Sequence, residues 1–343
     1  MLEIDGSQGE GGGQLVRQAA ALSALTGTPI RMVRARANRQ PPGLAAQHLA
    51  AVRVVAALCN AQTPGLQLRA QQFDFMPSRI GAGAFKFDVG TAGSIPLVLQ
   101  AAIPVALAAP GLVEIEIIGG TDVRGAPAFD YAALVWQPLL KRLGLDLDLA
   151  ATRRGYYPRG GGIVQASIRP GVPAALSLPG RGAVREIGGI AHTANLPAHI
   201  VARMLDRTIV QLERFGPVHM QSCLLGPEQA VGTGGAIAIR ADCGAALLGA
   251  SAVARRGVPA EAVADQAASV LAADLEAGAT LDVYASDQLL IYLARAGKPS
   301  EYLVRRQTQH ALTILWLLQQ FLPLRWECEP MPSGMHRVRI FPG

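Results

Sequence analysis

"LEIDGSQGEGGGQLVRQAAALSALTG", residues 2–27, sets a short strand-like run, a glycine loop and an Ala/Leu-rich helical run in immediate succession. The helix should stop at Gly27, because glycine enters the left-handed conformation that ends a helix without steric cost. "PIRMVRA" then reads as a strand, and "PPGLAAQHLAAVRVVAALC" as a helix with proline in its first turn. The same order returns. "FKFDVG" is a strand, "GTAGS" a turn and "IPLVLQAAIPVALAA" a helix; the alternating strand "LVEIEIIGG" and the helix "YAALVWQPLLKRLG" follow. A third round begins with "ATLDVYASDQ" and "LLIYLARAG". In each round an acidic residue stands two or three positions before a small-residue loop, and the loop opens a helix. The pattern is that of an α/β (α+β) fold built on a repeated βα unit. Its helix N-termini would meet in one place, where free N–H groups and positive dipole ends suit an anion.

The rounds are interrupted. From about residue 182 to 277 the chain carries another α/β set: "REIGGIAHTANL" and "GGAIAIRADCG" as strands, "PAHIVARMLDRTIVQLERFG" and "PAEAVADQAASVLAADLEAG" as helices. Glycines and prolines near Pro179 and Gly182 make a connecting linker. The expected organisation is a large domain of repeated units, 1–181 with 278–343, and a smaller inserted α/β domain, 182–277.

Charge is unevenly spread. The net charge is +6, and between Glu10 and Asp74 there is no acidic residue, while Arg17, Arg31, Arg34, Arg36, Arg39, Arg53 and Arg69 all fall in that span. Arginine without compensating carboxylates suits phosphate, which its planar fork binds bidentately. The competing reading is arginine preference from a GC-rich coding sequence, with which the alanine enrichment also agrees. The four cysteines are scattered without a CxxC pair, so a structural zinc site is not expected. No apolar run is long enough for a membrane span, and no basic-then-apolar leader is read at the N-terminus. A cytoplasmic location without membrane association is therefore expected.

"GEGGGQ", residues 9–14, is no Rossmann fingerprint, because Gln14 stands where the last glycine belongs, and it lacks the Gly-Lys-Ser/Thr of a Walker loop. Its glycines would let a ligand approach backbone amides. Glu10 would repel bound phosphate unless a divalent ion lay between them; otherwise it is an exposed turn residue. "RARANR" sets Arg36 and Arg39 three apart, as a phosphate clamp or a solvated basic edge. In "RRGYYPRGGG", residues 153–162, tyrosines offer stacking faces for bases and arginines offer phosphate contacts. Asp287, in "YASDQ", is a helix-start acid or a partner-orienting one. Thr308 is a candidate N-cap, which places His310 in a first turn where the dipole disfavours imidazolium and keeps a neutral, nucleophilic ring. Taken alone, a lone histidine is more often structural.

Together "DGSQGEGGGQLVRQ", "RARANRQPPGLAAQHL", "GTAGSIPLVLQAAIP", "GGTDVRGAPAFDY", "RGYYPRGGG", "YASDQL" and "TQHALTILWLLQQFLP" resemble the RNA 3′-terminal phosphate cyclase family, in the family's order and over nearly the whole chain. The resemblance implies a ligase-type nucleotidyl transferase that uses ATP as cosubstrate, Mg²⁺ or Mn²⁺ as cofactor, and RNA with a 3′-terminal phosphate as partner. It implies that His310 is the nucleophile and that Glu10 lies near the metal and the nucleotide phosphates. It puts Arg17, Arg36 and Arg39 in the phosphate- or RNA-binding set, and Gln14, Gln100, Pro127, Tyr284, Asp287 and Gln288 around the nucleotide. One branch of the superfamily acts in ribosome assembly and lacks the histidine, so His310 argues for the catalytic branch. A small-molecule transferase related to the enolpyruvyl transferases is the third reading. The Ala-rich insert matches poorly, so no RNA contact is carried over there.

Overall fold

A computed structural model describes all 343 residues. Strand β1 (Leu2–Asp5) leads through the glycine loop into α1 (Gly13–Thr26), which ends at Gly27 with φ 66°. Residues 15–24 of α1 are all buried, so the helix is covered on every side. Its alanines (Ala19, Ala20, Ala21, Ala24) admit close neighbours: α1 packs on α2 (Ala46–Leu58), which follows β2 (Ile30–Val33). β1 and β2 are parallel, and β3 (Phe73–Phe75) closes a three-stranded sheet, order β1-β2-β3. The expected proline-led start of α2 is corrected. Pro41 and Pro42 lie in a turn ahead of the helix, because Gly43 sits at φ 80° and a right-handed helix cannot pass through it.

The second round runs β4 (Gly83–Asp88), α3 (Ile95–Ala106), β5 (Val113–Gly119). A continuous helical run follows: α4 (Phe129–Tyr131), a π-helical turn Ala132–Trp136, and α5 (Gln137–Arg142). Then come β6 (Leu147–Gly155) and β7 (Gly162–Ile168). β4 is parallel to β5, and β7 is antiparallel to both β5 and β6, so β4, β5 and β6 all point one way.

The interrupting segment is β8 (Glu186–Ala194), α6 (Ala198–Leu212), β9 (Val218–Leu225), β10 (Ala230–Val231), β11 (Gly234–Cys243), β12 (Ala246–Val253) and α7 (Ala260–Ala277). Four of these strands form a sheet, order β12-β11-β8-β9, backed by α6 and α7 over a 24-residue core. β9 and β12 lie in stretches assigned to no element from the sequence. β10 leaves this sheet and pairs with Arg154 and Gly155 of β6, so the segment is stitched into the second sheet.

The third round is α8 (Val283–Leu293), β13 (Ser300–Val304), α9 (Gln309–Phe321), β14 (Leu324–Pro330) and β15 (His336–Pro342), with sheet order β13-β15-β14. Its expected opening strand is absent. Asp282 accepts hydrogen bonds from the Tyr284 and Ala285 N–H groups, each at 2.9 Å, and starts α8 at once. "YASDQ" lies in the first turns of α8, in keeping with its reading as a helix start. α1 also packs on α3 and α9, and α8 on α9, so helices of all three rounds share one core of 70 buried residues. No helix is long and apolar enough to cross a membrane.

Candidate active site at the glycine loop and the start of α9

Thr308 caps α9: its hydroxyl accepts the Ala311 N–H at 2.9 Å. His310 follows in the first turn, half-exposed. The glycine loop lies directly against that turn. A Cβ on Gly9 would collide with the Thr313 hydroxyl, so only glycine lets Glu10 reach α9. Glu10 Oε2 then stands 3.4 Å from His310 Nε2 and 3.0 Å from Arg39 Nη2. Burial pushes the His310 pKa below the usual histidine value; Glu10 opposes this, while Arg17 and Arg39 add to it. The ring is neutral at physiological pH.

Three of the loop glycines serve packing against protein. Added Cβ atoms would strike Thr313 at Gly9, the Asn38 amide at Gly11 and the His48 ring at Gly13; at Gly12 the nearest atom is 3.7 Å away, on Arg39. Gly12 is thus the open one of the four.

Arg17, on α1, is only 5 % exposed, and its Nε has no hydrogen-bond partner. Burial lowers its pKa to about 10, which still leaves a cation with no carboxylate to neutralise it. Buried charge of this kind calls for a counterion. The buried Oε1 atoms of Gln14 and Gln18, on the same first turns of α1, are also unpartnered. Tyr284, Asp287 and Gln288 fall at i, i+3 and i+4 on α8 and so share a face. Tyr284 is half-exposed, its ring edge-on to Tyr131 at 6.2 Å.

Asp287 accepts the Thr308 hydroxyl at 2.8 Å, which ties α8 to the cap of α9. Burial pushes its pKa up to about 7, and Asp282 and Glu10 add to the rise. An unfolded carboxyl ionises near 3.8, so between about pH 4 and 7 the unfolded state sheds a proton that the folded state keeps. Asp287 therefore costs stability as pH rises through that window. Asp287→Asn should flatten the fall of unfolding free energy between pH 4 and 7, read by urea titration at several pH values; an unchanged slope would remove Asp287 from this role.

The structure thus gathers Glu10, Arg17, Arg39 and His310, with Asp287 behind Thr308. It does not join the others by hydrogen bonds or ion pairs. Gln100 is buried on α3 and Pro127 lies in the loop after β5. Arg36 sits at φ 54° and spends its guanidinium on the Pro41 and Gly43 carbonyls, at 3.2 and 2.6 Å, bracing its own turn. His48 was not singled out by the sequence, yet it is buried against Gly13, with a pKa driven down to about 3 by burial and then by Arg17 and Arg36. Its Nδ1 accepts the Ala45 N–H at 3.2 Å, which leaves the proton on Nε2. Only its nearness to "RQPPG" hinted at it.

A divalent ion fits this site only jointly with a ligand. Glu10 is the single carboxylate facing His310, and Mg²⁺ is commonly held by one or two carboxylates plus substrate phosphates. The cluster with three ligating side chains lies elsewhere: Asp122, Asp130 and His192. There the Arg154 guanidinium already serves as the cation, 3.3 Å from Asp122 and 2.5 Å from Asp130.

A model of the RNA 3′-terminal phosphate cyclase family matches residues 8–328. The chain belongs to this family. A protein of Nitrosospira multiformis named RNA 3′-terminal phosphate cyclase is 46% identical over 341 residues, 99% of this chain and 96% of that one. Relatives with the same name from Ignicoccus hospitalis and Pyrococcus furiosus are 41% and 36% identical, over 94% and 99% of this chain and 93% and 98% of theirs. The family match spans the glycine loop, the hairpin of residues 153–162 and the start of α9. This cyclase-family chain therefore carries the histidine-and-glutamate pair within a matched region.

Proposed function

We propose that the chain is an ATP-dependent RNA 3′-terminal-phosphate cyclase acting through a histidine–AMP intermediate. The observation that carries this reading is a neutral imidazole at a helix N-terminus, next to a buried arginine with no counterion. The His310 Nε2 lone pair attacks the α-phosphorus of ATP; the N–P bond forms, the bond to the bridging oxygen breaks, and pyrophosphate departs with that electron pair. Arg17 and Arg39 neutralise charge on the phosphates as it shifts toward the leaving group. Glu10, with phosphate oxygens, would hold Mg²⁺ or Mn²⁺, which supplies further charge neutralisation when bound. An oxygen of the RNA 3′-phosphate then takes the AMP from His310, forming a pyrophosphate linkage. The neighbouring 2′-hydroxyl attacks the RNA phosphorus, loses its proton and expels AMP, which leaves the 2′,3′-cyclic phosphate. Adenylylation is needed because a phosphate monoester has no good leaving group of its own.

The test is incubation with α-labelled ATP and Mg²⁺ or Mn²⁺ without RNA. An acid-labile, alkali-stable label on the polypeptide, discharged by RNA with a 3′-phosphate, is expected; no label under either metal overturns the reading. Glu10→Ala should shift the metal titration of labelling to higher concentration by about tenfold or more, in line with loss of a charged ligand. An unchanged titration would take the metal role from Glu10.

A further inference from the structure

The parallel strands place several loops on one rim. The loops after β1 and β2 leave the same end of the first sheet. Those after β4, β5 and β6 leave the same end of the second. The two ends touch. His48, against Gly13, neighbours Gln47, whose Oε1 accepts the Ser94 N–H at 3.4 Å in the loop after β4. A Cβ on Gly160 would press on Thr91 and Ala92 of that loop, so the hairpin after β6 is docked on it. Contacts therefore run without a gap from His310 through Glu10, the glycine loop and the start of α2 to this hairpin.

The hairpin tip is rigid and presents an aromatic ring. Gly160 N–H bonds the Tyr156 carbonyl at 2.8 Å, Arg153 Nε bonds the Gly161 carbonyl at 2.9 Å, and Tyr156 is buried. Tyr157 between them is 81 % exposed, the most exposed of the large apolar side chains. Arg159 beside it, Arg124 in the loop after β5 and Arg53 on α2 are exposed and form no ion pair; Asp88, which caps Gly90 N–H at 2.7 Å, is the acidic group among them. Between α2 and the loop after β4, on which the hairpin docks, lies a hollow of about 240 Å³ lined by Leu49, Arg53, Leu68 and Phe87 among others. Unpaired arginines alternating with apolar or aromatic surface match a single strand, which alternates phosphates with stacking bases.

Resting on the cyclase reading, we infer that the RNA strand upstream of the terminal phosphate lies along this rim, with a base stacked on Tyr157. Holding that base on a docked tip fixes the strand without reading its sequence, since every base offers a π-face. Terminal groups reach His310 from one end while the chain leaves over the hairpin.

The experiment compares Tyr157→Ala and Tyr157→Phe with the native protein, using a hexanucleotide ending in a 3′-phosphate and a nucleoside 3′-phosphate. Rates are expressed per adenylylated enzyme. Tyr157→Ala should raise the hexanucleotide KM about tenfold, Tyr157→Phe should restore it, and the mononucleotide KM should not respond, because it is too short to reach the tip. Arg159→Ala should reduce the slope of log affinity against log salt by about 0.7, the single-strand value per phosphate contact. Equilibrium binding of the hexanucleotide, read by fluorescence anisotropy, carries the same comparison without turnover. A protein that fails to label with ATP would overturn the cyclase reading, and the anisotropy would still decide this one. Equal hexanucleotide affinity in all three proteins, or an equal change with the mononucleotide, overturns the rim.

Discussion

His310→Ala should abolish labelling from ATP while the protein stays folded. The side chain is 47 % exposed and holds no buried hydrogen bond, so its loss should change unfolding free energy by no more than about 0.5 kcal/mol. The α9 cap is untouched, because Thr308 rather than His310 accepts the Ala311 N–H. The chemistry has no substitute: no other nitrogen stands against Glu10 Oε2 except the Arg39 guanidinium, which stays protonated and carries no free lone pair. Label should fall to background, a loss of several orders of magnitude. In the native protein the labelling rate should be level from about pH 7 upward. It should fall on acidification with a midpoint below the ordinary histidine value, because burial and the two arginines favour the neutral ring. Retained label on another residue would overturn the assignment, and a midpoint above 7 would overturn the electrostatic account.

Arg154→Ala should cost about 3–5 kcal/mol of stability, the usual effect of stripping one partner from a buried charge group. Arg154 is 13 % exposed, reaches Asp122 and Asp130, and lies over the Phe129 ring at 5.1 Å. Without it the two carboxylates keep one cation, His192, which is 2.9 Å from Asp130 and 3.6 Å from Asp122. Burial opposes the charge on His192, but Asp122 and Asp130 prevail and hold its pKa up at about 9. A histidine raised in this way stabilises fully below its unfolded value of about 6.5, and that stability is lost as pH rises through about 9. The native urea midpoint should therefore decline between those limits, and His192→Asn should remove that part of the slope. Since Arg154 and both aspartates lie in the second round and His192 on β8, the same variants should loosen the interrupting segment first, read as earlier hydrogen exchange in β8 and β11. A loss under 1 kcal/mol for Arg154→Ala would mean that water or relaxation compensates the pair.

What the residues announced in advance was local. The end of α1 at Gly27, the alternation of β5 and the cap at Thr308 depend on neighbours a few positions away, so periodicity and capping residues suffice to read them. Two strands were silent for the converse reason. β12, "ALLGASAV", is rich in residues with weak strand preference, and it is extended because β11 supplies its hydrogen bonds. β9 pairs on one side only, with β8, and carries a mixed, largely solvated pattern.

The glycines of residues 9–13 show the same division at the site. Their sequence announced a close approach to backbone, and the family resemblance named Glu10 and His310. That the approach is made chiefly by Thr313, Asn38 and His48 was not readable, because these partners are brought in by other elements. By residue chemistry Arg17 was one arginine of a basic stretch and only the family resemblance set it apart; its burial without a counterion comes from the enclosure of α1 by α2, α3 and α9. By itself, then, the sequence determined most of the βα units and the helix ends at Gly27 and Thr308, which rest on short-range geometry, and the family resemblance pointed to His310 as the proposed nucleophile. Only the tertiary structure decided which charges are paired, which are buried alone and which glycines face open space, because burial and pairing depend on groups far apart in the chain meeting in one core, as Gly9 and Thr313 do.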